Sequence, residues 1–405
     1  MPDLDFRTPF SPDDVTPIAD LIGDARIVAI GENNHHIREF GRLRNRLLRH
    51  LVEERGFTVL GFESGFAEGE LVDGWLRGAP GDVADIGRDG FTFSLGDSPE
   101  VHEMLAWLRE HGGVRYAGLD VPSSGGSPAP ALQAVRRYLE DVDPDVVPLV
   151  DAGLTASEPY ASVSSAIAPG RYAAMAAPAR DAATAAFSTL LAHLRALAPV
   201  YQQRRAPTAH AIAEHHALGA LRLDAYQREL AAMMAGVAPS MQSSSRDTYL
   251  ASTVKLLRRL HGEGAKIVVM VHNGHLQRVP FAPAPGMVFP SAGTHLAAEF
   301  GDDYFTLGLT AGTGTTTGLT PDENARLGFR VHADELPPAE GGSVEAALAE
   351  SGPCLVDLRA NRAKGVAGPK SMRHAHLFTS VDVVRAFDAL VYLPAMSVSG
   401  HVPAE

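Results

Sequence analysis

Short apolar runs, each followed by polar residues, recur along the 405-residue chain. Their lengths are those of buried strands, and helical patterns separate many of them. The segment 38–55, for example, carries apolar residues at helical spacing with arginines between them, and a glycine follows it. The predicted strands cover residues 27–30, 58–62, 114–119, 266–271, 304–309, 355–358 and 389–393. The alternation predicts an α/β fold with a mainly parallel central sheet flanked by helices.

The middle of the chain departs from this alternation. Strand-like runs are scarce there, and the segments 182–197 and 210–236 read as amphipathic helices. We interpret residues 125–244 as a helical insertion that forms a cap, set between two parts of an α/β catalytic core at 1–124 and 245–405. The Ala- and Leu-rich helices of this cap are expected to line a substrate cleft and to exclude water from it.

Composition excludes several classes of partner. The net charge of -13 argues against nucleic acid and anionic membranes, which both require basic patches. The sequence has no run of 18 apolar residues, and its acidic N-terminus does not resemble a signal peptide. The single cysteine, Cys354, lies in an apolar run and predicts a buried thiol in a reducing compartment. We therefore expect a cytoplasmic protein with a small-molecule substrate. Its oligomeric state is left open.

The first apolar run leads into the most informative loop of the sequence. Ile27–Ile30 stops at a glycine, and Glu32, two asparagines, His35 and His36 follow at once. In open α/β folds, side chains directly after a strand lie in the crevice at the carboxyl end of the sheet, where ligands bind. A carboxylate and a histidine on one short loop are the residue types that general acid–base catalysis uses.

Further polar residues follow other predicted strands. Glu63 and Asp120 follow the second and third runs, and His272 and His275 follow the fourth. Each of these residues also has a plain structural interpretation, as a helix cap or a turn residue. Their shared position at strand ends nevertheless predicts that one crevice collects them, and titratable groups in one cleft perturb each other's pKa values.

The common catalytic motifs are absent or incomplete. The segment 61–65 resembles a serine nucleophile elbow, but Ser64 stands one place too late. The sequence has no P-loop and no glycine-rich dinucleotide motif after the first strand. The spacing of His272 and His275 is only loosely that of a metal site. These observations predict an enzyme that needs neither a metal nor another cofactor.

Several sequence blocks together resemble the erythromycin esterase family. The Gly-Glu-x-x-His block at 31–40, the block at 62–69, the pair at 246–247 and the Val-His-Asn-Gly-His block at 271–275 carry the resemblance. It extends over residues 20–395, although the middle region matches in character and not by motif. The resemblance implies hydrolysis of a macrolide lactone without a serine nucleophile, which is an activity of antibiotic resistance.

The resemblance also implies a role for each catalytic residue. His35 would be the general base that activates water, and Glu63 and Glu32 would orient the histidine and the water. His272 and Arg246 would polarise the carbonyl group or stabilise the oxyanion. Five further residues are candidates for substrate binding: His36, Arg44, Asp120, Asn273 and His275.

Two other functions remain open at this level. A base, two carboxylates and an arginine also suit transesterification, elimination or cyclisation, if the pocket excludes water. The loop around His35, with its bulky polar neighbours Asn34 and His36, suits such a tailoring enzyme of natural-product biosynthesis. A catalytically silent binding protein on the same fold is the third possibility, and the intact Glu32, His35, Glu63 and His272 argue against it.

The missing ligand motif predicts that catalysis does not depend on a metal. Dialysis against a chelator should leave the rate of ester hydrolysis unchanged, as measured against an undialysed sample. Full inactivation with recovery on adding zinc or manganese would contradict this prediction.

Overall fold

The computed structural model describes residues 4–403 except 238, 240, 285 and 323. Its strands, in chain order, are β1 (Arg7–Pro9), β2 (Ile27–Ile30), β3 (Val59–Gly65), β4 (Arg115–Asp120), β5 (Ile267–Met270), β6 (Phe281–Ala284), β7 (Met287–Phe289), β8 (Tyr304–Pro321), β9 (Phe329–Glu335), β10 (Cys354–Asp357), β11 (Ser371–His374), β12 (Leu377–Ser380) and β13 (Ala389–Met396).

The helices surround these strands. In chain order they are α1 (Thr16–Ile22), α2 (Arg38–Arg55), α3 (Phe66–Leu76), α4 (Val83–Gly90), α5 (Pro99–His111), α6 (Ala129–Val142), α7 (Val147–Ser157), α8 (Ala168–Ala174), α9 (Ala177–Ala196), α10 (Ala198–Arg204), α11 (Pro207–Met234), α12 (Ser245–His261), α13 (Asn273–Leu276), α14 (Ala292–Phe300), α15 (Val344–Leu348), α16 (Leu358–Lys364) and α17 (Val383–Ala386). In the part of the chain that the structure describes, no helix combines the length and the apolar character that crossing a membrane requires.

The central sheet confirms the predicted mainly parallel α/β fold. Its strand order is β1-β10-β13-β8-β2-β5-β3-β4, with β9 paired to the far end of β8. The pairs from β13 to β4 are all parallel, whereas β1, β10 and β9 pair antiparallel to their neighbours. The four residues of β2 are fully buried on both faces, as expected for a central parallel strand. The carboxyl ends of β2, β3, β4 and β5 therefore meet at one edge.

One strand is much longer than predicted. The sequence predicted a strand over 304–309, but β8 continues through the Gly- and Thr-rich segment that follows and ends at Pro321. Its first part pairs with β2 and β13 inside the sheet, and its last part forms an antiparallel hairpin with β9 beyond the sheet edge. Threonine suits strands, so pairing with β13 and then with β9 outweighs the loop-like glycines of this segment.

A second, four-stranded sheet was not predicted. Its order is β11-β12-β6-β7, and it is antiparallel throughout. The strand β6 (Phe281–Ala284) lies in a proline-rich segment that does not carry the pattern of a strand. This small sheet packs its β11–β12 turn against the loop after β2, where the Ala375 N–H group donates to the carbonyl oxygen of Asn33 at 2.8 Å.

The middle region is helical, from α6 to α11. Helices α6, α7, α9 and α11 share a hydrophobic cluster that includes Leu139, Phe187 and Leu190. The long helix α11 also contributes Leu223 to the cluster on one face of the main sheet. Histidines of this region contact other parts of the protein: His215, for example, bonds to the hydroxyl group of Thr253 at 2.8 Å. The division of the chain into a core and a cap at 125–244 stays a prediction.

The close packing of α3 on β4 gives a stability test with an internal control. A Cβ atom on Gly69 would lie 2.4 Å from the backbone nitrogen of Gly118, whereas one on Gly74 of the same helix would meet nothing within 4 Å. Gly69→Ala should lower the free energy of unfolding by about 1–3 kcal/mol through overpacking. Gly74→Ala should raise it by about 0.5–1 kcal/mol, because alanine suits a helix interior better. Denaturant unfolding measures both, and equal effects would contradict this packing.

Candidate active site

A cleft of about 410 Å³ opens at the carboxyl edge of the central sheet. This volume is typical of small-molecule sites. Polar residues of the predicted constellation form its floor, and apolar side chains from several elements form its walls. The lining residues are Asn34, His35, His36, Glu63, Phe93, Ser165, Ala166, Arg246, His272, Gly274, His275, Phe281, Thr317, Leu319, Pro321, Phe329, His374 and Ala375.

His35 is held through one ring nitrogen by Glu32. Its Nδ1 atom lies 2.9 Å from Oε1 of Glu32, and Nη1 of Arg44 lies 2.7 Å from Oε2 of the same carboxylate. Burial opposes the charged form of Glu32, but Arg44 and the hydrogen bond with His35 outweigh it and lower the pKa of Glu32. Because an ionised carboxylate only accepts hydrogen bonds, the Nδ1 atom of His35 carries the proton. In the neutral ring, Nε2 is therefore the free base.

The loop that carries His35 is fixed from both sides. The hydroxyl group of Thr317 on β8 donates to the carbonyl oxygen of His35 at 3.0 Å. The amide side chain of Asn34 donates to the hydroxyl group of Thr316 at 2.8 Å and to the carbonyl oxygen of Thr317 at 2.9 Å. His36 adopts a left-handed backbone conformation, with φ of 58°. This turn sends the ring of His36 away from that of His35 to a buried place beside His401, 5.1 Å between ring centroids.

Glu63 lies at the centre of the constellation. Its Oε1 atom lies 2.9 Å from Nη2 of Arg246, 3.3 Å from Nε2 of His275 and 3.9 Å from Nε2 of His35. Its Oε2 atom accepts the backbone N–H group of His272 at 2.6 Å. Burial alone would raise the pKa of Glu63, but His275, His35 and Arg246 hold it well below the ordinary value. Glu63 is therefore a fixed negative charge and not a base.

His275 lies between two carboxylates. Its Nδ1 atom is 2.8 Å from Oδ1 of Asp247, and its Nε2 atom is 3.3 Å from Glu63. Both partners only accept, so both ring nitrogens carry protons and the ring is an imidazolium. Burial lowers the pKa of His275, but the charges of Asp247 and Glu63 dominate and raise it to about 10. The residue predicted to bind substrate is thus a cation that lines the cleft.

The ring of His272 has no free nitrogen. Its Nε2 atom donates to the carbonyl oxygen of Asn33 at 2.8 Å, and its Nδ1 atom accepts the backbone N–H group of Gly274 at 3.0 Å. Burial and the charge of neighbouring histidines hold the pKa of His272 well below the ordinary value, so the ring is neutral. The prediction that His272 polarises a substrate carbonyl is not supported by this placement, because no N–H group remains for it.

Arg246 is held in the cleft floor by two acids. Its Nε atom donates to both carboxylate oxygens of Asp120 at 3.0 and 2.9 Å, and its Nη2 atom contacts Asp120 at 2.6 Å and Glu63 at 2.9 Å. These charges outweigh burial and raise the pKa of Arg246. Its guanidinium group also lies 5.4 Å from the ring centroid of Phe93. Asp120 is fully buried beneath the arginine, so it orients Arg246 and does not face the cleft, as a substrate-binding role would require.

Two other residues predicted to bind substrate, Asn273 and Arg44, use their side chains for contacts within the protein. Asn273 pairs with the backbone of β8: its side chain donates to the carbonyl oxygen of Leu309 at 2.8 Å and accepts the Leu309 N–H group at 3.2 Å. Gly31 makes room for it, since a Cβ atom there would lie 2.0 Å from the side-chain oxygen of Asn273. Arg44 is buried against Glu32. Neither side chain lines the cleft, so the prediction of substrate contact is not supported for them.

The sequence reasoning missed three residues of the site. Asp247 lies in the pair 246–247 that carries the family resemblance, but the sequence predicted no role for it. Ser244 caps α12: its hydroxyl group accepts the N–H group of Asp247 at 3.1 Å and donates to the carboxylate of Asp247 at 2.6 Å. This Ser-x-x-Asp capping pattern was the available signal. Phe281 and His374 belong to the small sheet, for which no periodic pattern was evident.

The apolar walls come mainly from elements other than the predicted cap. Leu319, Pro321 and Phe329 belong to the β8–β9 hairpin. Of the described residues in 125–244, Ser165 and Ala166 line the cleft, and both lie in the loop before α8. The Ala- and Leu-rich helices instead use their apolar faces to pack against each other.

The structure brings the predicted acids and histidines together, but not in a metal-binding arrangement. Among the residues that the structure describes, no group of three or more His, Cys, Asp or Glu side chains is arranged to hold a metal ion. The ion pairs with arginine already occupy the carboxylates of Glu32, Glu63 and Asp120. Independence of a metal stays a prediction, which the chelation experiment tests.

Comparison with known proteins identifies the family. The erythromycin esterase family matches residues 52–396, which is most of the chain. The chain belongs to the erythromycin esterase family. It is 28% identical over 394 residues to erythromycin esterase type II from Escherichia coli, covering 96% of this chain and 93% of that protein. It is 25% identical to erythromycin esterase type I from Escherichia coli, with 92% and 91% of the two chains covered.

Solved structures share the fold. A mutant of erythromycin esterase EreC in its open conformation superposes with a TM-score of 0.83 at 22% identity, covering 96% of each chain. A Bacillus cereus protein gives a TM-score of 0.73 at 18% identity and covers 97% of this chain and 96% of that one. A succinoglycan biosynthesis protein gives 0.72 at 17%, with coverage of 97% and 95%. At these identities the likeness shows the erythromycin esterase fold of this family member.

The environment of His275 predicts an unusual titration. Its ring should stay protonated through neutral pH and lose its proton at about pH 10. Because this pKa is raised above the unfolded value, the ion pair stabilises the fold fully below about pH 6.5, and the contribution is lost as pH rises through about 10. Asp247→Asn removes one negative charge and should lower the pKa of His275 by at least about one unit. Nuclear magnetic resonance of the histidine rings measures this directly.

The control for this titration is Asp357→Asn. Asp357 caps α16 and accepts the N–H group of Ala360 at 2.9 Å. Its replacement should leave the titration of His275 unchanged. A normal titration of His275 near pH 6.5 in the wild-type protein would contradict the assigned imidazolium.

Proposed function

We propose that this family member is a hydrolase that cleaves an ester or lactone in a macrolide or related polyketide, using water activated by His35. The observation that carries the proposal is the orientation of the His35 ring. Its Nδ1 atom is committed to Glu32 at 2.9 Å, while its Nε2 atom is turned into the cleft, 3.9 Å from Glu63. A histidine with one nitrogen fixed by a carboxylate and the other free is suited to general-base catalysis.

In the first step, water attacks the carbonyl carbon of the ester. The water donates one proton to Nε2 of His35, a bond forms between its oxygen and the carbonyl carbon, and the carbonyl π electrons move to the oxygen. The resulting imidazolium is stabilised by Glu32 on its Nδ1 side and by the nearby charge of Glu63. Glu32 also fixes the tautomer, because it can only accept the Nδ1 proton.

Two cations stabilise the oxyanion in this mechanism. Arg246 and the His275 imidazolium both line the cleft and both approach the same oxygen of Glu63. Arg246 can act as a fixed donor, which is worth roughly 3–4 kcal/mol to the transition state in a water-poor site. His275 contributes the positive charge of its ring, because both of its N–H groups already contact carboxylates. In the second step the tetrahedral intermediate collapses, the bond to the alcohol oxygen breaks, and the His35 imidazolium returns its proton to that oxygen. The products are a carboxylic acid and an alcohol.

The substrate class is supported by the cleft walls and by the relatives. Phe281, Leu319 and Phe329 give the cleft an apolar side that suits the carbon skeleton of a polyketide. Two curated relatives are erythromycin esterases, and the chain aligns with each over more than nine-tenths of its length.

Mass spectrometry of a macrolide panel, erythromycin included, is the direct test of this function. Hydrolysis by the pure enzyme should add the mass of one water to at least one substrate. A product of unchanged mass would indicate that the enzyme catalyses an elimination or a cyclisation within the substrate and not hydrolysis. No turnover across the panel would contradict the proposed substrate class.

The two adjacent histidines should differ sharply in their contribution. His35→Ala should lower kcat by about 10²–10⁴-fold, the usual worth of a general base, with little change in substrate affinity. His36→Ala should cost less than about 10-fold, because its ring is buried beside His401 and is not the ring that Glu32 orients. The hydrogen bond with Glu32 and the charges of Glu63 and Glu32 outweigh burial and raise the pKa of His35 above 6.5. The value of kcat/KM should therefore rise with pH through a midpoint above about 6.5, since only the neutral ring is a base.

The reverse order of the two variants would overturn this assignment. If His36→Ala abolished hydrolysis while His35→Ala retained it, the base would lie on the neighbouring residue. The assay is steady-state hydrolysis of the macrolide that the panel identifies, at several pH values.

A further inference from the structure

The last residue of β11, His374, lies in the cleft wall, and the proposed mechanism does not use it. The ring of His374 lies 4.1 Å from the ring of His272 between centroids. It also stacks on Phe281, at 5.4 Å and an interplanar angle of 26°. His272 in turn lies 5.8 Å from His35, so His374 belongs to the same aromatic wall as the proposed base.

The ring nitrogens of His374 have no hydrogen-bond partner among the residues that the structure describes. This distinguishes it from His272 and His275, whose two ring nitrogens all contact protein atoms. Polar groups in a partly buried wall normally bind a protein atom, a water molecule or a ligand. The ring of His374 is half-buried and lines the cleft, so its unpaired nitrogens are available to a molecule that fills this space.

The turn fixes this ring relative to the catalytic loop. Ala375 adopts a left-handed backbone conformation, with φ of 54°, which is unfavourable for a residue with a Cβ atom. Its N–H group donates to the carbonyl oxygen of Asn33 at 2.8 Å, and the same oxygen accepts Nε2 of His272. One carbonyl group of the His35 loop thus anchors the turn that carries His374. Strained backbone of this kind clusters at functional sites.

The charge state of the ring limits what it can bind. Burial, reinforced by His275 and His35 and opposed by Glu63, lowers the pKa of His374 to about 4. The ring is therefore neutral at neutral pH, with one donor and one acceptor nitrogen. Such a ring suits a neutral oxygen and offers no net charge to an anion.

We propose that His374 is a specificity-determining residue that hydrogen-bonds a neutral oxygen of the substrate, a hydroxyl or keto group outside the ester that is cleaved. The stacked Phe281 provides an apolar surface beside this contact, so the pair selects an oxygen substituent on an otherwise apolar skeleton. The inference rests on the proposed function for the identity of the skeleton, but the binding contact itself is separable from catalysis.

Three variants separate the hydrogen bond from packing. His374→Phe keeps a ring against Phe281 and removes both nitrogens. His374→Gln keeps a donor and an acceptor. The control is His376→Asn, on the same turn, because the His376 ring lies 2.8 Å from Asp334 and does not line the cleft. Thermal unfolding is measured for each variant, and His374→Leu replaces His374→Phe if the latter does not fold.

The assay compares erythromycin with macrolides that differ from it by a single hydroxyl or keto group. His374→Phe should raise KM about 5–30-fold for the preferred macrolide with kcat changed less than about 3-fold, because a binding contact and not a reacting group is lost. His374→Gln should restore most of the affinity. The macrolide that lacks the bonded oxygen should not distinguish wild type from His374→Phe, and His376→Asn should behave as wild type. An unchanged KM in His374→Phe, or a lost kcat at constant KM, would overturn the proposal.

Calorimetry distinguishes failure of this inference from failure of the proposed function. If the wild-type enzyme hydrolyses no macrolide, the proposed function fails. The affinities of the wild-type protein and of His374→Phe for the same compounds, measured by calorimetry, then test the contact of His374 separately. A loss of affinity of the same size in His374→Phe supports the contact. Equal binding by the two proteins, or no binding by either, overturns it.

Discussion

The buried carboxylate of Glu63 is the interaction on which the rest of the site depends. Isolated in the protein interior, such a charge would cost several kcal/mol, and it is tolerated only because donors surround it. Arg246, His275 and the backbone of His272 supply those donors within 3.3 Å. They come from α12, from α13 and from the short connection between β5 and α13, so one carboxylate near the end of β3 joins the elements that form the cleft floor. The register shift between β3 and β4 occurs at this point of the strand.

The three histidines of the cleft floor differ in protonation because their partners differ. His35 meets one carboxylate at hydrogen-bond distance and keeps a free nitrogen. His275 meets two carboxylates and is a cation. His272 meets a carbonyl oxygen and an N–H group and is neutral with no free nitrogen. A ring with one free nitrogen, a cationic ring and a neutral, fully hydrogen-bonded ring thus arise from one residue type, since a carboxylate can only accept and an amide nitrogen can only donate.

The sequence predicted the parts of this site that follow from strand order. Glu32, His35 and Glu63 could be placed together because the carboxyl ends of parallel strands meet at one edge of the sheet. Side-chain direction could not be predicted in the same way. Asn273 lies beside His272 in the same motif, yet its side chain turns to the backbone of β8. A motif fixes neighbours along the chain and does not say which of them faces the cleft.

The elements that were missed are those whose pairing is not local. The four strands of the small sheet are each no longer than four residues, too short for a periodic pattern to stand out. The far half of β8 reads as a loop because its glycines and threonines acquire strand geometry only from partners distant in the sequence. These elements supply Phe281, His374 and the β8–β9 hairpin, which form walls of the cleft. The sequence therefore did not predict these walls, although it predicted residues of the cleft floor.

The central claim is that water, activated by His35, attacks the ester directly. A single turnover with enzyme in excess, run in water enriched in the heavy oxygen isotope, tests it. Direct attack by water should place one labelled oxygen in the carboxylate of the first product molecules, none in the alcohol and none in the protein. Label in a peptide that contains Glu63 or Glu32 would contradict it, because that outcome requires an enzyme carboxylate as the nucleophile and a covalent intermediate that water then opens.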